Sequence, residues 1–407
     1  MGITCGIDWA EAHHDIALID SDGAIVATKR IDTGFTGFTE LLSLIAEHAE
    51  APANVPVAIE TDKNLIVVAL QAAGFRVHAI NPRAVARYRE RHAQAGGKSD
   101  PGDALVLANI LRTDLHLHRA LPEISELGLA VKALARQHQE AIWARQLTVN
   151  RLRSVLVEFF PQALKAFPIL THKAALEVLR TASTPALGAK LTHTQVVTLL
   201  RRSGRGDRPG LADAIVVHLH APALRQPARA EAGLGHAVVG LVTIIEAMQA
   251  AIADLEAAMI AEFDQHPSAP LLRAAPGLGP ILAARVLAEV GDDPSRFATA
   301  DGLRAFAGTA PITRASGRSK IVKTRYVKNK RLADACPWWA FAAITKSPGA
   351  RAHYDRRKTA GDSNNAALRN LANKLLGRLW WCLANDQTWD EHAAWPARTS
   401  TPERAAA

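Results

Sequence analysis

Residues 98–114 of this 407-residue chain read KSDPGDALVLANILRTD. Asp100 and Asp103 are three positions apart at the start of an apolar repeat that continues to Leu111. On a helix, residues i and i+3 project from one face, so the two carboxylates share a face. Acidic residues in a first turn also stabilise a helix start, because they complement the helix dipole. The stretch therefore predicts a helix, whose carboxylates either only cap it or form half of a metal site.

The residues before this helix follow strand and helix patterns in turn. Apolar runs predict strands over 3–7, 15–20, 24–31, 55–59 and 75–80, with a hairpin turn at Ser21-Asp22-Gly23. Helical periodicity covers 35–50 and 65–73, and Pro82 begins a further helix. Three strands followed by alternating helices and strands predict an α/β domain over 1–121, with a mixed sheet and helices on its faces.

Two more carboxylates, Asp8 and Glu60, each follow a predicted strand. Sites gather at the carboxyl ends of strands in α/β sheets, although either residue alone is more simply a strand-end residue. Together with Asp100 and Asp103 they offer the oxygen ligands that Mg²⁺ takes, and two such ions can stabilise both reacting oxygens of a phosphodiester. The other nearby acids are expected to be structural, Asp20 and Asp22 in the turn and Asp62 as an N-cap, with no role given to Asp15.

Composition narrows the class of protein. The net charge of +9 and the pI of about 9.7 point to a polyanionic partner, nucleic acid first and an anionic membrane second. Cys5, Cys336 and Cys382 form no CxxC pair, which argues against a disulfide framework or a zinc knuckle and favours a reducing, cytoplasmic setting. No signal peptide is expected, and the apolar runs are too short to span a bilayer.

The middle region, 122–267, is predicted to be helical. One long helix is expected to run from Ile124 to about Phe160. A second carries apolar residues at alternating spacings of four and three, which is typical of a coiled-coil seam: Leu234, Val238, Leu241, Ile245, Met248, Ile252, Leu255 and Met259. Such helices form an antiparallel hairpin or an oligomer interface. Between them, 161–232 is predicted to be an inserted helical block, whose basic loop 201–208 either contacts nucleic acid or is simply solvated.

The last domain, 268–395, is predicted to be mostly helical, with a disordered tail over 396–407. Residues 275–280 precede a helix over 281–290 and resemble the turn of a helix-hairpin-helix element, although a plain helix start with a leading proline explains them equally well. From 314 to 331 there is no Asp or Glu, so this stretch is either a phosphate-binding surface or a flexible basic loop. Its positive residues are Arg314, Arg318, Lys320, Lys323, Arg325, Lys328, Lys330 and Arg331.

Three motifs together resemble the DEDD-type transposases of the insertion sequence 110 family, which includes the Piv/MooV invertases. They are GIDWAEAHHDIALID at 6–20, VAIET at 57–61 and KSDPGDALVLA at 98–108. The resemblance implies a RuvC-like N-terminal domain of the RNase H fold, with Asp8, Glu60, Asp100 and Asp103 as a tetrad that binds Mg²⁺. It also implies a nucleophilic serine in a Ser-Gly motif after a Gly-x-x-Pro turn, which here is Ser316. The family's Lys-x-Gly-Asn motif fits less well, because no glycine precedes Asn329.

The resulting hypothesis is a site-specific DNA recombinase, the transposase of an insertion sequence. Ser316 would attack a DNA phosphodiester, activated by the acidic site if the two domains meet, within or across subunits. The resemblance further implies a homo-oligomer, dimer or tetramer, and a noncoding guide RNA that pairs with donor and target DNA. The alternatives are a RuvC-like nuclease that hydrolyses branched DNA with water, and a non-catalytic nucleic-acid-binding protein.

Overall fold

The fold is that of a computed structural model, which describes residues 2–92, 100–204, 209–317 and 319–396, without the side chains of residues 91, 92 and 100. The chain divides into two compact units, Met1–Glu123 and Ile124–Ala407. Most of the loop before Asp100, part of the basic loop 201–208, Arg318 and the tail after 396 lie outside the described residues. The boundaries proposed at 121 and 267 stay predictions.

The first unit contains a five-stranded mixed sheet in the order β3-β2-β1-β4-β5. Its strands are β1 Thr4–Trp9, β2 His13–Ile19, β3 Ile25–Asp32, β4 Pro56–Ile59 and β5 Arg76–Ala79. β1 pairs antiparallel with β2, and β2 antiparallel with β3, whereas β4 runs parallel to both β1 and β5. The predicted mixed sheet with helices on its faces is confirmed, and the elements follow the predicted order.

Helices cover both faces of this sheet because the strand residues alternate between two apolar clusters. The helices are α1 Phe35–Ala46, α2 Leu65–Ala72, α3 Pro82–His92 and α4 Asp100–Asp114. Ile7 and Ile59 point to the face that Leu41 of α1 and Leu70 of α2 complete. Ala58 points to the other face, where it clusters with residues of α3 and α4. Neighbouring residues of one strand therefore pack into different hydrophobic clusters, one on each face of the sheet.

The structural roles predicted for the nearby acidic residues are correct for Asp20 and wrong for Asp62. Asp20 accepts hydrogen bonds from the backbone amides of Asp22 and Ala24, both at 2.9 Å, and so fixes the turn between β2 and β3. The prediction that Asp62 caps α2 is wrong. The N-cap is Asn64, whose positive φ of 93° sets the chain direction and whose side chain makes no capping bond.

Two long helices form the frame of the second unit, α5 Glu126–Phe159 and, later in the chain, α11 Ala228–Gln265. They run antiparallel, because residues early in α5 meet residues late in α11. His138 contacts Glu256 at 3.0 Å, and further along Thr148 contacts Met248 at 3.8 Å. Of the two arrangements left open, the antiparallel pairing is therefore present within the chain.

The predicted coiled-coil seam is not confirmed as such. Val238, Ile245, Ile252 and Met259, which are seven residues apart, are all buried. The other four seam positions are only half-buried. After two of these half-buried positions, Leu234 and Leu241, the next residue along the chain, Gly235 or Val242, is buried instead. The helix is rotated from the predicted face because it packs against a globular block as well as α5.

That block is α-helical, with a core shared by α5 and α11. Between those helices lie α6 Pro161–Ala166, α7 Lys173–Thr181, α8 Pro185–Gly188, α9 His193–Arg202 and α10 Leu211–Leu219. α11 is also long and apolar enough, by length and composition alone, to cross a membrane. Its buried residues pack against α5 and the inserted block. Cys5, Cys336 and Cys382 are free and buried.

The rest of the second unit packs a helical core around one exposed hairpin. It comprises α12 Ala269–Ala274, α13 Pro280–Val290, α14 Ala300–Phe306, β6 Ile312–Ser316, β7 Ser319–Lys323, α15 Lys330–Ile344, α16 Pro348–Thr359, α17 Asn364–Asn385 and α18 Glu391–Ala394. Pro280 is the first residue of α13, as a plain helix start requires. A Cβ on Gly277 would lie 2.5 Å from the amide nitrogen of Ala343, so the preceding turn packs directly onto α15.

Candidate functional site

Asp8 lies near the end of β1, and Glu60 directly follows the last residue of the neighbouring strand β4. The parallel register pairs Gly6 with Ala58 and Ile7 with Ile59, so the next step aligns Asp8 with Glu60. Both are two residues beyond Gly6 and Ala58, and alternate residues of a strand share a face. Ala58 packs against α4, so Asp8, which shares the face of Gly6 in β1, points to the face that α4 covers, and Glu60 follows the adjacent strand at the same end of the sheet.

Gly6 brings α4 close to β1. A Cβ on Gly6 would lie 2.0 Å from the carbonyl oxygen of Ala104 and 2.5 Å from the nitrogen of Ala108. Thr4, one step earlier on the same face, donates a hydrogen bond to the carbonyl of Ala108 at 3.2 Å. Towards the end of β1, the contacts thus move towards the start of α4. Two residues of strand span about 6.6 Å and four of helix about 6 Å, so Asp8 is level with the first turn of α4.

That first turn carries the other two predicted carboxylates. Asp103 is 6% exposed and forms an ion pair with Arg89 of α3. The Nε atom of Arg89 is buried and has no hydrogen-bond partner among the described residues. Asp100 is the first residue of α4, and its side chain lies outside the described residues. Arg89 therefore supplies the positive charge that the buried Asp103 needs in this structure.

A fifth carboxylate extends this row. Asp15 lies directly opposite Asp8 in the β1–β2 ladder, so their side chains share a face. Arg30 of β3 forms a two-pronged pair with Asp15, from Nε at 3.1 Å and from Nη2 at 2.8 Å. His13 Nε2 is 3.8 Å from the same carboxylate. Asp15 is 4% exposed, so this pair holds a buried negative charge beside Asp8.

Asp8, Asp15, Glu60 and the start of α4 with Asp100 and Asp103 together form what is here called the carboxylate edge. Its chemistry suits a hard cation, since its donors are carboxylate oxygens. No group of three or more His, Cys, Asp or Glu side chains is assembled around a single point among the described residues, which exclude the Asp100 side chain. Asp8 and Glu60 each have an interaction partner in the protein. The fit is therefore one of donor type and placement, with Arg89 as the cation now paired with Asp103.

The predicted nucleophile is in the second unit, at the tip of the β6–β7 hairpin. Ser316 ends β6 and pairs with Ser319, which begins β7, so the connecting residues are Gly317 and Arg318. Gly317 has a φ of 54°, the left-handed conformation that a two-residue hairpin turn requires and that glycine adopts freely. Ser316 and the hairpin residues Arg314, Lys320 and Lys323 are exposed. Ser316 and Arg314 share one face, because they are two residues apart on a strand.

The base of the basic segment is fixed by buried polar contacts. Asn329 caps α15 by accepting the amide hydrogen of Leu332 at 2.8 Å, and it donates a side-chain hydrogen bond to Glu289 at 2.6 Å. Glu289 is 3% exposed and also holds Arg136 of α5 through bonds of 2.9 and 3.1 Å. The hairpin therefore projects from a rigid base. This contact explains Asn329 in the loosely matched motif.

The eight predicted nucleic-acid-binding residues are not equivalent. Arg331 forms an ion pair with Glu140 and lies 6.0 Å from the ring of Trp143, so part of its role is structural. The stem of Lys328 packs against Gly308, where a Cβ would come within 2.2 Å of it. Arg318 lies outside the described residues. The exposed side chains on the hairpin remain available to a phosphate backbone.

Sequence reasoning missed Arg89 and the Asp15–Arg30 pair. Asp15 is in the quoted motif, and its place opposite Asp8 follows once β1 and β2 are paired through the turn at 10–12. Arg89 carried no signal, because its partner lies on another helix. α15 begins at Lys330, where Asn329 caps it, and it accommodates Pro337 within its length.

Comparisons with known proteins agree with the motifs. The family model for DEDD transposases of the IS110 type matches residues 5–161, and the model described as "Transposase IS116/IS110/IS902 family" matches residues 269–355. The "Mini-circle putative transposase for IS117" of Streptomyces coelicolor is 48% identical over 398 residues, which cover 96% of each chain. The "Insertion element IS110 uncharacterized 43.6 kDa protein" of the same species is 30% identical over 298 residues, 72% of each chain.

The similarity extends to a mycobacterial protein. The "Insertion element IS900 uncharacterized 42 kDa protein" of Mycobacterium paratuberculosis is 27% identical over 410 residues, 98% of each chain. The two family models cover the carboxylate edge and the serine hairpin separately, and the IS117 relative joins them in one alignment. The chain therefore belongs to the IS110 family of transposases, enzymes that cut and rejoin DNA.

Proposed function

We propose that this transposase cleaves and exchanges DNA strands through a serine–phosphodiester intermediate, with Mg²⁺ at the carboxylate edge. The observation that carries the proposal is the alignment of Asp8 and Glu60 with the first turn of α4. The DEDD family assignment suggests a divalent metal. Asp8, Glu60, Asp100 and Asp103 would hold it, and it would supply positive charge to the phosphate oxygens during the reaction.

In the proposed reaction, Ser316 Oγ bonds to phosphorus while the bond from phosphorus to one sugar oxygen breaks. The serine proton passes to a base, and the departing oxygen takes up a proton to become a hydroxyl group. The phosphoserine link keeps the free energy of the broken ester. Attack by a hydroxyl group of another strand then restores a phosphodiester and releases Ser316. The reaction therefore consumes no nucleoside triphosphate.

The hairpin residues would place the DNA for this step. Arg314, Lys320 and Lys323 are exposed beside Ser316, and each can contact a phosphate without reading a base. Arg325, Lys328, Lys330 and Arg331 would extend the same phosphate-binding surface towards its base, and Arg318 is assigned with them from sequence. Sequence specificity would then come from elsewhere, which supports a noncoding RNA that pairs with donor and target DNA.

We further propose that the enzyme acts in the cytoplasm as a dimer or tetramer. A homo-oligomer would bring together the two DNA ends that strand exchange requires. Mixing the Asp103→Ala and Ser316→Ala proteins tests it. Recovery of cleavage in the mixture would show that one copy supplies the serine and another the carboxylates. No recovery, while wild-type protein has the mass of a monomer on DNA, would contradict the oligomer.

A covalent trapping assay tests the function directly. The protein is incubated with end-labelled junction DNA of its own element, the flanking transcript and Mg²⁺, then denatured and resolved on a gel. A protein-linked label that is lost in both Ser316→Ala and Asp103→Ala supports the proposal. Ser319→Ala is the matched control, since Ser319 is the paired serine on the neighbouring strand, and it should keep the label.

The competing function is a metal-dependent nuclease in which water, rather than Ser316, attacks the phosphorus. Cleavage would then survive in Ser316→Ala and disappear in Asp100→Ala, and only free cleaved DNA would be found. Branched DNA would be its preferred substrate. That pair of results would refute the serine intermediate and leave the carboxylate edge as the active site.

A further inference from the structure

An apolar cavity of about 270 Å³ lies on the other face of the same sheet, between the starts of α1 and α2. Ile31, Phe38 and Ile66 are among the residues that line it. Sites for whole small-molecule ligands usually measure about 300–1,000 Å³, so this cavity has room for little more than a single ring system.

The cavity contains one buried polar group. His14 lines it, is 5% exposed, and has a ring Nδ1 without a hydrogen-bond partner among the described residues. Burial lowers the pKa of His14, with a further lowering by the charge of His13 and an opposing hydrogen bond to the His13 backbone, so the net effect favours the neutral ring. Buried polar atoms are nearly always hydrogen-bonded in folded proteins. A ligand in this cavity would therefore be stabilised by a polar group that forms a hydrogen bond with Nδ1 of His14.

Two large apolar side chains form the rim. Phe35 begins α1 and Leu65 begins α2, and each is 87% exposed. Trp9 lies opposite His14 in the β1–β2 ladder and is 42% exposed. An exposed apolar rim around an apolar cavity marks a binding surface more than a stabilising feature, because these side chains gain little from folding.

The position of the cavity indicates its ligand. Trp9 directly follows Asp8, and His14 directly precedes Asp15, so the cavity and the carboxylate row end at the same edge of the sheet. A DNA strand that places a phosphate at Asp8 and Glu60 passes this edge. Enzymes that act on DNA read an extruded base by stacking it against aromatic or apolar side chains and by hydrogen bonds to its edge.

We propose that this cavity binds one unstacked nucleobase of the DNA strand that lies at the carboxylate edge, with Phe35 against the ring face and His14 hydrogen-bonded to the ring edge. The proposal rests on the carboxylate edge being the DNA site. It goes beyond that function because it assigns a base contact to a unit otherwise given only metal and phosphate chemistry. The strand is consequently single-stranded or distorted close to the scissile phosphate.

The test uses 2-aminopurine, whose fluorescence changes when the base leaves the stack and contacts an aromatic ring. Junction DNA carries the probe at one position at a time, from three nucleotides before the cleavage site to three after it. Full-length wild-type protein is titrated with its transcript in Ca²⁺, so that binding is read without relying on turnover. The expected result is a fluorescence change confined to one or two positions.

Variants identify the cavity as the cause. Phe35→Ala should abolish the local change and weaken binding by about 5- to 150-fold, the usual effect of losing one stacking contact. Phe35→Tyr should retain both, because it keeps the ring. Leu224→Ala is the matched control, since Leu224 is 96% exposed in the other unit. Phe35 is exposed, so its replacement does not threaten folding, whereas His14→Phe is read only if the protein keeps its wild-type melting temperature.

Several outcomes would overturn the inference. They are fluorescence that is flat at every position while DNA still binds, or Phe35→Ala behaving as Leu224→Ala does. A lower oligomer mass in Phe35→Ala, with the fluorescence unchanged, would show that the cavity binds a second copy of the chain instead. None of these results depends on Ser316 or Mg²⁺, so failure of the serine mechanism remains distinguishable from failure of this inference.

Discussion

Gly6 offers a sensitive test of how the carboxylate edge is built. A Cβ at this position would lie 2.0 Å from the carbonyl oxygen of Ala104, whereas ordinary contacts begin at 3.4 Å. The first turns of α4 must therefore retreat by about 1.4 Å in Gly6→Ala, the difference between those two distances. The obstacle is backbone on both sides, so no side chain can rotate away. Asp103 moves with Ala104, and Asp8 stays with the sheet.

Both stability and activity should respond. Overpacking a core typically costs about 1–3 kcal/mol, and a rigid backbone contact belongs at the upper end, equivalent to a fall in melting temperature of about 10 °C. A misplacement of about 1 Å can cost about 100-fold in rate. We therefore expect Gly6→Ala to have a lower melting temperature than wild type. Its rate of DNA cleavage per folded molecule should fall by at least about 100-fold.

The assay is a single-turnover cleavage time course. It is run about 15 °C below the variant's melting temperature, so that loss of folded protein is excluded as a cause of slower cleavage. Gly2→Ala is the matched control, because nothing lies within 4 Å of a Cβ there. If Gly6→Ala melted and cleaved as Gly2→Ala does, the close approach of β1 and α4, and with it the placement of Asp8 beside the first turn of α4, would be refuted.

Other substitutions probe the second unit and the buried titratable groups. Glu289→Gln removes the buried carboxylate that holds the half-buried Arg136, so we expect it to destabilise the protein by roughly 1–3 kcal/mol and to weaken DNA binding through the hairpin base, measured by urea unfolding and by fluorescence anisotropy. An unchanged unfolding midpoint would contradict the buried network. Burial lowers the pKa of His353 from 6.5, so its contribution to stability is present above pH 6.5 and is lost as the pH falls through the lowered value. Stability should accordingly drop on acidification in wild type and less so in His353→Gln, compared by urea midpoints at several pH values. Burial raises the pKa of Cys5 and of Cys336 to about 12, so neither thiol should react with a disulfide reagent at about pH 8 until the chain is unfolded, and rapid labelling of either native thiol would show that it is not buried.

Much of the first unit could be predicted from local patterns. Each strand is a short apolar run, each helix has its own period, and the turn at 20–24 carries its own signal, so the order of elements follows from neighbours in sequence. The pairing of Asp8 with Glu60 was harder, because it needs a parallel register between strands about 50 residues apart. The alternation of Gly6 with Asp8, and of Ala58 with Glu60, contains that information once the register is known.

The second unit shows where pattern reasoning weakens. The apolar spacing in α11 identified a long helix, but two of the eight predicted seam positions, Leu234 and Leu241, are one residue before the buried position. A heptad assumes one partner along the whole helix, and α11 has two, α5 and the inserted block. The cap of α15, Asn329, is itself held by Glu289 of α13, a contact that no local pattern in the sequence records.

The sequence by itself determined the alternation of elements in the first unit and the candidate carboxylates, which depend on residue type and on spacings within one element, as local chemistry governs. The class of protein and the candidate serine also came from the sequence, but through its resemblance to a known family. Only the tertiary structure decided that Arg89 neutralises Asp103, that Asp15 and Arg30 extend the carboxylate row, and that His14 is buried at an apolar cavity beside it. Each of these contacts joins residues on different elements, and their distances depend on how closely backbones approach, as at Gly6, which no spacing along the chain records.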